Sequence, residues 1–362
     1  MINILITSMG GPGSNNLVET LRLIDAERFN VIGTHSDVLE LARADIESLF
    51  VVPPASEEDA YIDAHMKVID ACDVDILITN SDAEVRTWSP RREEIPCKHL
   101  VPPLDLVTLV QDKLTFHQTL AKHGCPTVPS IPVKTREGIS GAVASLPDPN
   151  RFWIRRRTGS GSLGATWLTS ASQAEKWVDL WTEVRGFEID EFIVAPFLEG
   201  RDFCVTTIWQ HGEFCVGKIY ERLSYMQGGA TLSGMGSGPK SARTPDDTEP
   251  IVRTREAVRA VYDEFGLQPH GLYQCDLKCD EHGNSYVTEL NIGRFPQTST
   301  HFDRVGQYSL LELYLKLLLE PDEVLPRDVF DLDPDQLILR RVDGTLRIVP
   351  QSRISELEAR TP

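Results

Sequence analysis

Short apolar runs alternate with amphipathic stretches through the first hundred residues. Residues 2–7 are an apolar run, followed by Gly10-Gly11-Pro12-Gly13 and a helical period over 16–26. Residues 29–33 and 75–79 repeat the buried-strand pattern, and a helical period covers 60–71. This rhythm predicts a parallel sheet with helices on both faces. Pro102-Pro103 then punctuates the chain, and one helix is predicted over 104–123, ending at Gly124. Pro126, Pro129 and Pro132 mark an extended linker.

Beyond the linker the pattern changes. Strands are predicted at 152–157 and 165–168 around a glycine-rich loop, and a helix at 172–184. Strands at 189–197, 202–209 and 214–219 follow without intervening helices, so they are expected to be antiparallel. A helix over 250–265 leads into a hairpin, 271–279 with 285–290, turning at 280–284; a last helix spans 309–319. The fold class is α/β, passing to α+β in the C-terminal part. Residues 224–245 are rich in Gly, Ser and Pro, and a loop of that length in a compact domain is usually functional or disordered. Residues 331–362 are polar, with one possible hairpin around Asp343-Gly344.

Composition narrows the function more than the fold. Hydrophobic residues make up 41% of the 362 and charged residues 25%, an ordinary soluble balance. The net charge of −18 argues against a nucleic-acid partner, which needs a basic face. No apolar run reaches membrane-spanning length, so no membrane association is expected. The first residues lack a basic leader, and the seven cysteines are odd in number, which points to a reducing cytoplasm. An acidic chain that binds a polyphosphate must concentrate its cations locally.

Three clusters meet that requirement. In the hairpin, Asp276 and Glu289 come together across the strands, and Glu289 and Asn291, two apart, share a face. Two carboxylates and an amide oxygen suit Mg²⁺ on a nucleotide, although alternating polar residues also describe a plain solvent face. The loop Thr158-Gly159-Ser160-Gly161-Ser162-Leu163-Gly164 lets backbone N–H groups approach phosphate. It lacks the Lys-Ser/Thr of a Walker A motif, and a surface hairpin is the alternative. Cations lie near both: Lys113, Arg155, Arg156, Arg157 and Arg294. Gly10-Gly11-Pro12-Gly13 does not match Gly-x-Gly-x-x-Gly, which weakens a dinucleotide reading. Cys275 and Cys279 have no second pair at zinc spacing, and no Ser or Cys pattern near the histidines suggests a hydrolase.

In order and spacing these residues resemble the ATP-grasp superfamily, on the branch of carboxylate–amine ligases and carbamoyl-phosphate synthase large-subunit domains. Asp112-Lys113, His123-Gly124-Cys125-Pro126-Thr127-Val128-Pro129, Ile154-Arg155 before the glycine loop, Leu198-Glu199-Gly200-Arg201-Asp202-Phe203 and Glu289-Leu290-Asn291-Ile292-Gly293-Arg294 carry the resemblance. It implies a Rossmann-like pre-ATP-grasp domain over 1–105, a small subdomain with the phosphate loop over 106–188, a large subdomain with the metal site over 189–330, and an extension over 331–362. It further implies that Lys113, Arg155, Gly159, Ser160, Gly161 and Ser162 bind the phosphates of ATP. Ala195, Phe197 and Leu198 would take adenine and Asp202 the ribose. Asp276, Glu289 and Asn291 would hold two Mg²⁺, with Mn²⁺ as the substitute ion. Arg294 and Arg155 would act on the transferred phosphoryl group or the carboxylate.

The chain departs from the pattern at Arg155-Arg156, where Lys-Pro is common, at Pro196, where an acid is usual, and at Asp202, where Glu is commoner. The reaction implied joins a small carboxylate to an amine, amino-acid-like, through an acyl phosphate with release of ADP. It needs no protein nucleophile, in keeping with the missing triad. An ATP-grasp phosphotransferase and a non-catalytic nucleotide-binding module are the alternatives, and a homodimer is a family-based expectation. Candidate substrate residues are Arg222, Lys240 and Arg243 in a lid over 221–244, and Asp82 or Glu84 after the strand ending at Thr79.

Overall fold

The computed structural model describes residues 1–359 apart from 12, 160, 227, 237, 297–304 and 340–350, and leaves the side chains of 351–354 aside. Ser160 of the phosphate loop and the turn at Asp343-Gly344 therefore lie outside the described residues.

The N-terminal part runs β1 (Ile2–Ile6), α1 (Ser14–Asp25), β2 (Phe29–His35), α2 (Val38–Leu41), β3 (Ser48–Val51), α3 (Glu58–Ala71), β4 (Ile76–Ile78) and α4 (Asp82–Trp88). Its strands form a parallel sheet in the order β3-β2-β1-β4. Alternation along β1 sends Ile4 and Ile6 into the core shared with Leu17, Val18 and Leu21 of α1. Leu5 faces the other way, toward Tyr61, Ile62 and Val68 of α3. Gly10, at φ +87°, lies where a Cβ would meet the Glu40 carbonyl oxygen at 1.8 Å, so only glycine fits that bend.

The helix expected over 104–123 is two: α5 (Leu104–Gln111) and α6 (Lys113–Lys122). Asp112 breaks them with extended backbone (φ −95°, ψ 101°), and its carboxylate accepts from Leu114 N and Thr115 N. It is the N-cap of α6, a role Asp fills well. After it come β5 (Ile131–Pro132), α7 (Ile139–Ala144), β6 (Phe152–Arg156), β7 (Thr166–Leu168), α8 (Ala171–Arg185) and β8 (Phe192–Pro196). The four strands pair antiparallel in the order β5-β8-β6-β7. Phe152, Ile154 and Val194 bury against Val143 of α7 and Ala174 and Val178 of α8.

The remaining elements are β9 (Asp202–Gln210), β10 (Glu213–Tyr225), β11 (Pro239–Arg243), α9 (Glu249–Asp263), β12 (Gly271–Cys279), β13 (Ser285–Ile292), α10 (Leu310–Leu319), β14 (Val329–Phe330), β15 (Leu337–Leu339) and α11 (Gln351–Ala359). They build a sheet ordered β13-β12-β9-β10-β11-β15, with β14 added along β10. One face carries Phe203, Val205, Cys275 and Leu277, buried with Phe116 of α6 and Ala257 and Val261 of α9. The opposite face carries Asp202, Lys218, Arg222, Gln274, Asp276 and Lys278, as the two-residue period of the strands requires.

Two further expectations change. The segment taken as a lid is strand at both ends: β10 runs on to Tyr225, and Glu221 pairs with Arg243 of β11. Only 226–238 bridge them, because the polar residues of 221–225 alternate and the Gly/Ser-rich composition begins later. Residues 337–339 are not a free tail either, since they add β15 to the large sheet beside β11. Further on, Leu357 of α11 is fully buried in the N-terminal core.

Candidate active site

The polar face of the large sheet meets the small sheet across a crevice, and the candidate residues gather there. β12 and β13 are antiparallel, with Asp276 opposite Glu289 and Gln274 opposite Asn291. A bulge after Asp276 leaves Thr288 as an extra residue, and the Thr288 hydroxyl donates to the Asp276 carbonyl at 3.0 Å.

Each of the three oxygen-bearing residues is met by one cation. Lys113, the first residue of α6, is aimed into the crevice by the Asp112 break. Its Nζ lies 2.6 Å from Glu289 Oε1 and donates to the Gly159 carbonyl at 2.8 Å. Arg222 bridges Asp276 and Asp202, with 3.0 Å to Asp202 Oδ1. Arg294 donates to Asn291 Oδ1 at 2.7 Å and to Asp82 Oδ1 at 2.7 Å. Lys113 and Glu289 thereby tie the glycine loop to the hairpin, two features 130 residues apart.

Arg155 and Arg156 diverge as strand alternation predicts. Arg156 pairs with Glu191 at 2.7 Å and stacks on Phe187, its guanidinium carbon 3.7 Å from the ring centre. Arg155 faces the site and donates to the Thr288 carbonyl at 3.2 Å. Arg157 turns to the Asp112 carboxylate, bracing the break that positions Lys113.

Burial works against the charges of Arg155, Glu289 and Asp276. It lowers the Arg155 guanidinium, against the pull of Glu289 and Asp276. It also works against the Glu289 charge, but Lys113 and Arg155 outweigh it and hold that carboxyl below its usual value. At Asp276 burial wins over Arg222, and the facing Glu289 adds to it, so this carboxyl is raised. His117, buried beside Arg155, is pushed down to about 3 by burial first and by the Arg155 charge second. It is neutral, with Nδ1 2.8 Å from Ser130 Oγ and Nε2 3.2 Å from the Thr288 carbonyl.

The glycine loop is built for backbone approach. Gly159, Gly161, Ser162 and Gly164 all take left-handed backbone, at φ +94°, +71°, +59° and +75°. Ala195 pairs with Trp153 between the strands β8 and β6. Past it, Phe197 lies against the Arg151 guanidinium at 4.4 Å and near Trp153 and Trp167. Leu198 follows in the connection to β9, where Gly200 passes so close to Asp280 that a Cβ would meet its carbonyl oxygen at 2.4 Å. Asp202 is buried and engaged by Arg222, by the Tyr225 hydroxyl and, at 3.8 Å, by Lys278.

Three substrate candidates are placed elsewhere. Arg243 pairs with Glu221 at 2.9 Å, together with Arg201, on the face of the sheet away from Arg222. Lys240 is exposed. Glu84 turns into the N-terminal core, where it accepts from the Thr7 hydroxyl at 2.6 Å. Asp82 is the acid of that segment that reaches the crevice. The sequence reading missed His117, Tyr225 and Lys278. Lys278 was open to the same two-residue argument that linked Glu289 with Asn291; His117 and Tyr225 carried no local signal.

Buried donors without partners mark what the crevice takes. Among the described residues, Arg155 Nε and Arg222 Nε are buried and bonded to nothing. Arg156 Nε is in the same state on the other face of β6, so it is the position of the Arg155 and Arg222 groups beside Glu289 and Asp276 that suits them to an anion. Two carboxylates and an amide oxygen on one face suit a hard cation carried by that anion. Among the described residues no group of three or more His, Cys, Asp and Glu is placed to hold a metal ion; the hairpin cluster has two carboxylates and an amide.

Solved structures give the architecture a name. Biotin carboxylase from Campylobacter jejuni, in complex with β,γ-ATP, superposes with a TM-score of 0.70 at 15% identity, over 92% of this chain and 74% of that one. The chain has the ATP-grasp fold. N5-carboxyaminoimidazole synthetase from Staphylococcus aureus, complexed with ADP, matches at 0.64 and 15% identity, over 90% and 78%. The L-amino acid ligase of Bacillus licheniformis matches at 0.63 and 14%, over 88% and 74%. No protein-family model and no curated protein matches the sequence. Among the described residues no helix is long and apolar enough to cross a membrane.

Proposed function

We propose that this ATP-grasp protein is an ADP-forming ligase that phosphorylates a small carboxylate and passes the acyl group to an amine. The observation that carries the reading is Lys113, whose ammonium touches both Glu289 and the carbonyl of Gly159. A residue in contact with both the metal-type hairpin and the phosphate-type loop is placed to hold a polyphosphate between them. Complexes of the structural neighbours with β,γ-ATP and ADP support a nucleotide in this crevice.

Lys113 and Arg155 bind the phosphates, and the loop 159–164 covers them. Phe197, Trp153 and Trp167 offer the aromatic surface for the base beside Ala195 and Leu198. Asp276, Glu289 and Asn291 would hold Mg²⁺, which neutralises charge on the transferred phosphoryl group when bound. Arg294, anchored by Asp82, grips the substrate carboxylate at the end of β13, and Arg222 offers its unspent Nε from β10 on the same sheet.

A carboxylate is a poor electrophile because its charge is delocalised. Its oxygen attacks the γ-phosphorus, ADP leaves, and the resulting acyl phosphate has a good leaving group. The amine nitrogen then attacks the acyl carbon, the C–O bond to phosphate breaks, and the nitrogen gives up a proton. The residues supply position and charge rather than a covalent partner. Closure of the glycine loop excludes the water that would hydrolyse the acyl phosphate.

The test is ADP release on a panel of amino acids and small carboxylic acids offered in pairs. The expected result is release that requires both an acid and an amine, and that is lost in Glu289→Ala and Asn291→Ala with the fold retained. ADP formed with the acid alone, at full rate and with a stable phosphorylated product, would replace the ligase with a phosphotransferase.

A further inference from the structure

One cavity lies beside the candidate active site rather than in it. It has a volume of about 580 Å³, and none of Asp276, Glu289, Asn291 or Asp82 lines it. It lies between the segment 97–103 beside β4, the turn 267–270 entering β12, and α10. Its wall against the crevice is Gly293, whose Cα packs so tightly on Pro102 that a Cβ would meet Pro102 Cδ at 2.4 Å.

The lining is unlike the rest of the molecule. The chain carries 54 acidic residues against 36 Lys and Arg, yet no carboxylate lines this cavity. Arg92, Lys98, Arg294, His99 and His270 do. Arg92 donates to the Val101 carbonyl at 2.9 Å and pairs outward with Glu93. Lys98 is exposed and has no ion pair among the described residues. His99 accepts the Val101 N–H on Nδ1, which leaves its proton on Nε2.

A relay of hydroxyls ends at the cavity. The His270 backbone N–H donates to the Tyr273 hydroxyl at 2.9 Å, and Tyr273 donates to the Tyr262 hydroxyl at 2.7 Å. Tyr262 lines the cavity, and its own proton has no acceptor among the described residues. Leu100, Pro102, Leu106, Leu267 and Leu317 complete an apolar floor.

We infer that this cavity is a second ligand site, for a small anion (carboxylate, sulfonate or phosphate) attached to an apolar body. Its volume falls within the roughly 300–1,000 Å³ of small-molecule sites. Its charged side chains are all cations, and its apolar wall needs a hydrocarbon partner. The site adjoins the nucleotide crevice at Arg294, whose guanidinium is held on the crevice side by Asp82 and Asn291, and it does not depend on the reaction proposed there.

The probe is 8-anilinonaphthalene-1-sulfonate, an anion on an aromatic body. Fluorescence titration of the full chain is expected to show one saturable site that persists under saturating Mg²⁺ and a non-hydrolysable ATP analogue. Lys98→Glu and Leu267→Glu, both at solvent-accessible positions, are each expected to weaken it about tenfold, equivalent to about 1.4 kcal/mol, with melting temperatures unchanged. Uncharged N-phenyl-1-naphthylamine is expected to bind at least tenfold more weakly. Absence of saturable binding, one-for-one displacement by the nucleotide, equal affinity in both variants, or equal affinity for the uncharged probe would each overturn the assignment.

Discussion

Replacing Lys113 with Met separates the roles that its contacts give it. In the native protein the ammonium sits 2.6 Å from Glu289, whose side chain is 29% exposed. At that distance the attraction is about 6 kcal/mol at an effective dielectric of 20 and about 2 kcal/mol in bulk water. Desolvation and screening of the partly exposed carboxylate reduce the net cost of removing the cation to about 1–3 kcal/mol of stability at neutral pH. Glu289 is held below its usual value, so this contribution is fully present above the unfolded carboxyl value and is lost as pH falls through the lower folded value. Without Lys113 burial weighs more heavily on the carboxylate, and the stability gap between variant and native protein narrows in acid.

The ligand effects of the same change have opposite signs. A lost charge-assisted bond to phosphate weakens nucleotide binding by about 1.5–3 kcal/mol, roughly 10- to 150-fold. Mg²⁺ offered without nucleotide no longer competes with the ammonium for Glu289, and binds about fivefold more tightly, from a repulsion of about 1 kcal/mol removed. Calorimetry with Mg²⁺ alone, and then with a non-hydrolysable ATP analogue plus Mg²⁺, reads both. Unchanged nucleotide affinity would refute the reasoning. Equal weakening of metal and nucleotide would show Lys113 to be a structural prop only.

Two further outcomes follow from the fold. Gly293→Ala, at φ +73° with Pro102 Cδ 2.4 Å and Val85 Cγ1 2.8 Å from the new Cβ, is expected to cost about 2–4 kcal/mol by denaturant titration and to lower turnover by displacing Arg294; an unchanged midpoint would contradict the packing. His65 is held down to about 4 by burial, with Nδ1 bonded to the Tyr61 carbonyl at 2.8 Å and Nε2 to Thr34 at 3.0 Å. A histidine whose folded value is depressed stabilises fully above about pH 6.5 and loses that contribution as pH falls. The loss expected by pH 5 is about 2 kcal/mol, flattened in His65→Gln, and an equally steep acid slope in that variant would exclude His65 as its source.

The chain's periodicity made most elements legible, because burial on one face imposes it locally. β12 and β13 could be paired from sequence across a five-residue turn, but that turn alone sets Asp276 against Thr288; the bulge that leaves Thr288 extra, which no local signal marked, is what brings Glu289 opposite Asp276. The division at Asp112 was hidden by continuous apolar periodicity across 104–120, although Asp at an N-cap is a known break. The extension of β10 to Tyr225 was hidden because its pairing with β11 is a long-range contact. Lys113, Arg155 and Arg294 were visible as cations near motifs. Which acid each would meet depends on how three sheets pack, and no local signal carries that. For the same reason Arg243 seemed equal to Arg222, whereas one residue of register sends them to opposite faces.

The central claim, transfer of the γ-phosphoryl group to a carboxylate, is tested most directly by isotope. With the acid and amine that support ADP release, the carboxylate is labelled with ¹⁸O and the released phosphate analysed by mass spectrometry. The account predicts one ¹⁸O atom in each phosphate, since the oxygen that attacked phosphorus leaves with it. Phosphate without label, formed alongside amide product, would contradict it.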